Sequence, residues 1–130
     1  MGFLGKREIN KLSNRIIGAA IEVHRNLGPG LLENVYEECF CRELSLQGIS
    51  FERQKYMPVK YKGQKVECEY RLDIVVEDKV IVEIKSINSL LPIHEAQLMT
   101  YLTLSDLWLG LLINFNVVTL KNGIKRVVRG

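Results

Sequence analysis

Apolar residues recur at helical spacing in two segments at the start of the chain. The first segment covers residues 6–26, where an apolar stripe lies opposite charged positions until Gly28-Pro29-Gly30 interrupts the pattern. The second segment covers about 31–47. A third helix is predicted over about 92–104, because Pro92 suits the first turn of a helix. The periodicity therefore predicts three helices, two of them near the N-terminus.

Between the second and third helices, the apolar residues occur in short runs that are typical of β-strands. Strands are predicted at 49–55, 59–62, 65–76 and 80–85, and the charged tripeptide 77–79 forms the turn before the last of them. After the third helix, strands are predicted at 107–115, 117–120 and 124–128, with Asn122-Gly123 as a hairpin turn. Two helices, a first set of strands, a third helix and a second set of strands predict an α/β fold, in which a mixed β-sheet is flanked by α-helices.

Length and composition limit the class of protein. At 130 residues, 47% of them hydrophobic, the chain is expected to form a single domain over 1–130. A net charge of +3 permits nucleic-acid binding without requiring it. No apolar stretch approaches the roughly 20 residues that span a bilayer, and the N-terminus carries no signal-peptide pattern. Three cysteines without a CxxC pair indicate reduced thiols, so we expect a cytoplasmic protein with no membrane partner.

The most informative segment is the predicted hairpin at 71–85. With 77–79 as its turn, Asp73 lies directly across from Glu83 with the two Cβ atoms about 5 Å apart, where like charges repel. Side chains two apart on a strand share a face, so Lys85 points the same way as Glu83. A bound Mg²⁺ relieves the repulsion, because it takes hard oxygen ligands and substrate phosphate. The pattern indicates phosphodiester chemistry, although charged partners on the solvent face of an ordinary hairpin would produce the same pattern.

Short motifs occur in order along the chain, namely Gly30-Leu-Leu-Glu33-Asn-Val-Tyr36, Arg71-Leu-Asp73, Glu83-Ile-Lys85, Gln97-Leu-Met-Thr-Tyr101 and Leu112-Ile-Asn-Phe115. Together they resemble the small bacterial GxxExxY protein family, a branch of the PD-(D/E)XK nuclease superfamily. The likeness runs through nearly the whole chain and implies a restriction-endonuclease-like sheet. Leu72 stands where the superfamily's name places proline, at a position that varies among its members.

The resemblance implies roles for four residues. Asp73 and Glu83 match the superfamily's metal-binding carboxylates, which would hold Mg²⁺ or Mn²⁺. Lys85 matches the lysine that orients or activates the attacking water. Glu33 resembles the helix-borne glutamate that completes the metal site in many members, although an acid in the first turn of a helix also complements the helix dipole.

Further residues have less specific interpretations. Gln97 and Tyr101 resemble the Q-x-x-x-Y element of the superfamily's exonuclease branch, and they lie one helical turn apart. Gln97 would bind phosphate or steady Lys85, or it is a surface amide. Tyr101, like Tyr36, is expected to be a packing residue. His24 follows an apolar helical face, where it is either a core residue or, as in some exonuclease-branch nucleases, a metal ligand.

The sequence predicts metal-dependent hydrolysis of phosphodiester bonds in nucleic acid, with DNA as the expected substrate. The alternative is a non-catalytic module on a nuclease fold that binds nucleic acid or protein. A Mg²⁺ hydrolase of small phosphate esters is disfavoured, because the chain lacks a phosphate-binding glycine loop. Since so small a chain has little room for sequence-reading elements, a homodimer or a protein partner would supply any specificity. The basic side chains of the 53–65 region line a phosphate-binding groove or a solvated strand face; they are Arg53, Lys55, Lys60, Lys62 and Lys65.

Overall fold

The computed structural model describes residues 3–130, which form three α-helices, five β-strands and one 3₁₀-helix. The helices are α1 (Phe3–Leu27), α2 (Glu33–Leu46) and α3 (Pro92–Ser105). The strands are β1 (Phe51–Tyr61), β2 (Gln64–Val76), β3 (Val80–Lys85), β4 (Leu109–Asn114) and β5 (Ile124–Val128), and the 3₁₀-helix is Leu120–Gly123. All three predicted helices are confirmed. None of the helices in residues 3–130 combines the length with the apolar character that crossing a bilayer requires.

The strands form one mixed sheet in the order β1-β2-β3-β4-β5. The β3–β4 pair is parallel, and the other three pairs are antiparallel. A parallel pair requires a crossover connection, which α3 provides. One face of the sheet packs against α1 and α2 through residues such as Ile16 and Phe40, and the other packs against α3 through Leu98 and Leu102. The predicted α/β fold, a restriction-endonuclease-like mixed sheet flanked by helices, is confirmed.

The pairing of β2 with β3 ends before either strand does. Residues 74–76 pair with 80–82, which confirms the predicted hairpin register around the turn at 77–79. Beyond this point β3 continues to Lys85 alongside β4, whereas β2 runs on alongside β1 only. The sheet therefore opens between β2 and β3. The two-stranded extension of β1 and β2, residues 55–71, is called the β1–β2 ribbon below.

The strands predicted at 49–55 and 59–62 are one continuous strand, β1. Gln54 adopts a positive φ of 56°, and the register with β2 shifts between Pro58 and Lys60. Such irregularities disturb the alternation of apolar and polar side chains without ending a strand. They account for the apparent break in the sequence pattern.

The strand predicted at 117–120 is absent. This segment bends and leads into the 3₁₀-helix, and Val118 is 89% exposed. Both edges of β4 are occupied by β3 and β5, so the segment cannot pair with the strand that precedes it. The helix ends at Gly123, where a Cβ would lie only 2.1 Å from the carbonyl oxygen of Asn114. The close approach of the two backbones requires glycine, and the closing hairpin is β4–β5.

Candidate functional site

Two carboxylates replace the backbone pairing where the sheet opens between β2 and β3. A Glu83 carboxylate oxygen accepts a hydrogen bond of 3.2 Å from the Asp73 N–H. An Asp73 carboxylate oxygen accepts one of 3.1 Å from the Ile84 N–H. Both acids are buried, with 7% of Asp73 and 6% of Glu83 exposed. Each carboxylate is thus fixed by the backbone of the opposite strand, and the two face each other across the opening.

The two acids lack a counter-charge at contact distance. Neither forms an ion pair with any other residue of 3–130, whereas all the ion pairs that are formed there involve other acids. Burial, together with the adjacent Asp73, raises the pKa of Glu83 to about 9. Without a cation the pair therefore retains a proton at neutral pH. Buried oxygen donors in this state are suited to a divalent cation, which would take the place of the proton.

The charges of Lys85 and Glu33 interact with those of the two buried acids. Lys85 is half-buried at the end of β3, and its ammonium group lowers the pKa of Glu83 and of Glu33. The pKa of Glu33 is nevertheless raised, because burial outweighs Lys85 and because Asp73 acts in the same direction as burial. Glu33, which is exposed in the first turn of α2, therefore lies within electrostatic range of Lys85 and Asp73.

Tyr36 explains how the start of α2 is held in place. Its hydroxyl donates to the Gly28 carbonyl at 2.5 Å and accepts from the Leu31 N–H at 3.1 Å. Its fully buried ring stacks on Phe115, with the ring centroids 4.6 Å apart. The loop before α2 is also tied to the end of β3, since the Ser86 hydroxyl donates to the Leu31 carbonyl at 2.5 Å. These contacts fix the loop that precedes Glu33.

Tyr36→Phe should destabilise the protein by about 1–3 kcal/mol, because the ring stack remains while the Leu31 N–H and the Gly28 carbonyl lose their partner. Urea denaturation monitored by circular dichroism measures this change. Tyr56→Phe is the matched control, since Tyr56 is 58% exposed. Equal stability of the two variants would show that the loop is held by other contacts.

His24 has structural contacts. Its Nε2 lies 2.7 Å from the Val117 carbonyl, its ring is tilted against Phe115, and 9% of the residue is exposed. Within residues 3–130, no three side chains of the His, Cys, Asp and Glu types are gathered closely enough to enclose a metal ion. The contacts of His24 favour the core interpretation over the predicted role as a ligand, so we leave it out of the proposed metal site.

The α3 residues border the same opening. Tyr101 packs edge-on against Tyr70 with ring centroids 5.5 Å apart, and its pKa is raised by burial and by Glu83 and Asp73. Gln97 lies one turn earlier on α3 and is exposed. No hydrogen bond joins its side chain to the described part of the chain, so its predicted role depends on substrate.

Two residues outside the predicted set organise the loop that follows Lys85. Ser86 binds the loop before α2, as described above. Asn114, which is 1% exposed and pairs with Lys85, accepts from the Ile87 N–H at 3.1 Å and donates to the Ile87 carbonyl at 2.9 Å. A polar residue that ends the apolar run of β4 was the available signal for Asn114, whereas nothing in the sequence distinguished Ser86.

Comparison with known proteins gives one family match. The family model described as the PD-(D/E)XK nuclease superfamily matches residues 10–127, a range that extends from α1 into β5 and includes Glu33, Asp73, Glu83 and Lys85. No curated protein matches the chain, and no solved structure does.

Proposed function

The chain belongs to the PD-(D/E)XK nuclease superfamily, and from that premise we propose that it hydrolyses phosphodiester bonds in DNA with the help of a divalent cation. The observation that carries the proposal is the buried, facing pair of Asp73 and Glu83, with Lys85 beside it. We further propose membership of the GxxExxY branch, on the strength of Gly30, Glu33 and Tyr36 at its characteristic spacing.

Asp73 and Glu83 are the proposed ligands of Mg²⁺ or Mn²⁺. Members of the superfamily generally use divalent metals, and one or two carboxylates plus substrate oxygens are the usual ligands of Mg²⁺. Bound there, the cation would polarise the scissile phosphate and lower the pKa of a water molecule. Glu33 does not close a cluster of three acids with this pair within residues 3–130, so it would assist from α2 through its charge, which already interacts with Asp73.

Lys85 would act on the substrate through its fixed positive charge. Its place on β3, two residues after Glu83, directs it to the face that carries both acids. A preorganised ammonium group stabilises negative charge that develops on phosphate oxygens, and it orients the attacking water. Gln97, exposed on α3, would hold a phosphate oxygen of the bound strand.

A nuclease assay tests the proposal. The chain is incubated with single- and double-stranded DNA and RNA, linear and circular, in Mg²⁺, in Mn²⁺ and in EDTA. We expect cleavage that depends on the metal and is lost in Glu83→Gln, which preserves the shape of the side chain. Cleavage of no substrate in either metal would overturn the enzymatic proposal and favour a non-catalytic binding module.

The carboxyl group of Glu83 should make the stability of the metal-free protein depend on pH. The pKa of Glu83 is about 9 in the folded state, against an ordinary value of 4.5. From about pH 5 to about pH 9 the folded state keeps a proton that the unfolded state releases, so the free energy of unfolding should fall as pH rises. Glu83→Gln should flatten this slope in melting curves recorded in EDTA. Glu52→Gln, at an exposed position, is the control, and identical slopes for all three proteins would refute the pKa assignment.

A further inference from the structure

The tip of the β1–β2 ribbon carries an uncompensated positive charge. Residues 60–65 contain three lysines and no acid, a charge equal to the formal net charge of +3 of the whole chain. Lys60, Lys62 and Lys65 are exposed, and none of them forms an ion pair within residues 3–130. The tip therefore presents a concentrated cationic surface to solvent.

Two of these lysines face each other. Lys60 pairs with Lys65 across the ribbon, so their side chains share a face. Like charges in this position destabilise an isolated hairpin, and an anion between or beside them removes the repulsion. The arrangement thus points to a polyanionic partner, as the facing acids at the other end of β2 point to a cation.

The other two basic residues of the groove predicted over 53–65 are already paired. Arg53 binds Glu37 at 2.8 Å, and Lys55 lies 3.6 Å from Glu52. Both are held by acids of the protein itself, which leaves the tip residues as the part of the predicted phosphate-binding groove that is available to a partner. Lower on the ribbon, Glu67 and Glu69 would repel phosphate, so we expect contact at the tip and again at the exposed Arg71 beside the site.

The ribbon has the shape and position for duplex DNA. Its outer residues 58–69 belong to neither hydrophobic core, so the tip stands clear of the body. Asp73 and the tip residue Gly63 are joined by a single strand, and ten residues at about 3.3 Å each place them at most roughly 33 Å apart. The major groove of B-DNA admits a two-stranded β-ribbon, and one helical turn of the duplex measures about 34 Å.

We propose that the β1–β2 ribbon enters the major groove of duplex DNA about one helical turn from the scissile phosphate, so that double-stranded DNA is the substrate of the site. This inference rests on the proposed nuclease function, which it makes more specific. A duplex of RNA is excluded, because its major groove is too deep and narrow for side chains to enter. A second copy of the chain is disfavoured as the occupant, because two tips of like charge repel each other.

Binding in EDTA, where cleavage is not expected, tests the contribution of the tip. Fluorescence anisotropy is measured with a 30-base-pair DNA duplex, its single strand and an RNA duplex of the same sequence. The double variant Lys60→Gln/Lys65→Gln should bind the DNA duplex roughly tenfold more weakly. Its salt dependence should correspond to about two fewer counterions released on binding. Lys11→Gln/Lys79→Gln, with the same charge change at exposed positions away from the ribbon, should stay within about twofold of the unmodified protein.

A second duplex with bulky groups on C5 of its pyrimidines tests the groove, because C5 lies in the major groove. We expect binding of the unmodified protein to fall at least about tenfold with this duplex. Equal affinity for the bulky duplex or for RNA, or equal losses in the two double variants, would overturn the ribbon proposal. If the ribbon behaves as expected but no metal supports cleavage, the nuclease proposal alone fails. If cleavage persists with the tip variant unimpaired in binding, the ribbon proposal alone fails.

Discussion

Replacing Lys85 with alanine should lower the rate of cleavage by about 10²–10³ while changing nucleic-acid affinity only a few-fold. The ammonium group lies near acids at the end of β3, where its charge opposes the rise that burial causes in the pKa of Glu83 and of Glu33. A charge in that position interacts most strongly where negative charge develops during the reaction, so its loss affects the transition state more than the bound substrate. Single-turnover rates in Mg²⁺ and dissociation constants in EDTA separate the two effects.

Lys79→Ala is the control for this experiment, because Lys79 lies on the exposed turn of the same hairpin. Its rate should equal that of the unmodified protein. Thermal melts of both variants confirm that each is folded at the temperature of the assay. A large loss of affinity in Lys85→Ala, together with an unchanged rate at saturating substrate, would assign Lys85 to substrate binding and not to catalysis.

The geometry around Asp73 and Glu83 was predictable because it follows from the period of a β-strand. A turn at 77–79 sets the hairpin register, and the register sets which side chains lie opposite each other. The sequence did not indicate that the backbone pairing ends at Ile74. That opening arises from the different partners of the two strands, since β3 follows β4 and β2 follows β1.

The contacts that position Glu33 could not be derived from local pattern. The periodicity places Tyr36 in the core, but its hydroxyl binds the backbone of a loop, Gly28 to Leu31, whose shape depends on α2 and β3 together. The apolar face of α1 likewise left His24 open to two interpretations. Its contact with the Val117 carbonyl joins residues that are 93 positions apart, and the bend at 117 was itself mistaken for a strand.

The sequence also could not show which basic residues of the ribbon region are paired with acids. In the sequence, Arg53 and Lys55 look like the lysines at 60–65, because all five residues lie in one basic stretch. Only the packing of α2 beside β1 shows that Arg53 is neutralised by Glu37. The distinction between paired and unpaired cations, on which the choice of substrate depends, is therefore a property of the fold.

Asp73→Asn should abolish most of the stabilisation that divalent metal gives to the protein. For the unmodified chain, Mg²⁺ or Mn²⁺ at 100 times its dissociation constant should raise the free energy of unfolding by about 2.7 kcal/mol, because it binds the folded state. The asparagine oxygen can still accept from the Ile84 N–H, and its amide can donate to Glu83. The variant should therefore melt at or above the temperature of the unmodified protein in EDTA, yet respond weakly to metal.

Asp78→Asn supplies the matched comparison, because Asp78 lies on the turn of the same hairpin with 80% of its side chain exposed. Removing its charge should leave the metal-dependent shift in melting temperature intact. If Asp73→Asn and Asp78→Asn shift equally with metal, the cation binds elsewhere. If the unmodified protein shows no shift at millimolar metal, the facing acids are a proton-sharing pair of the fold, and the catalytic proposal fails with them.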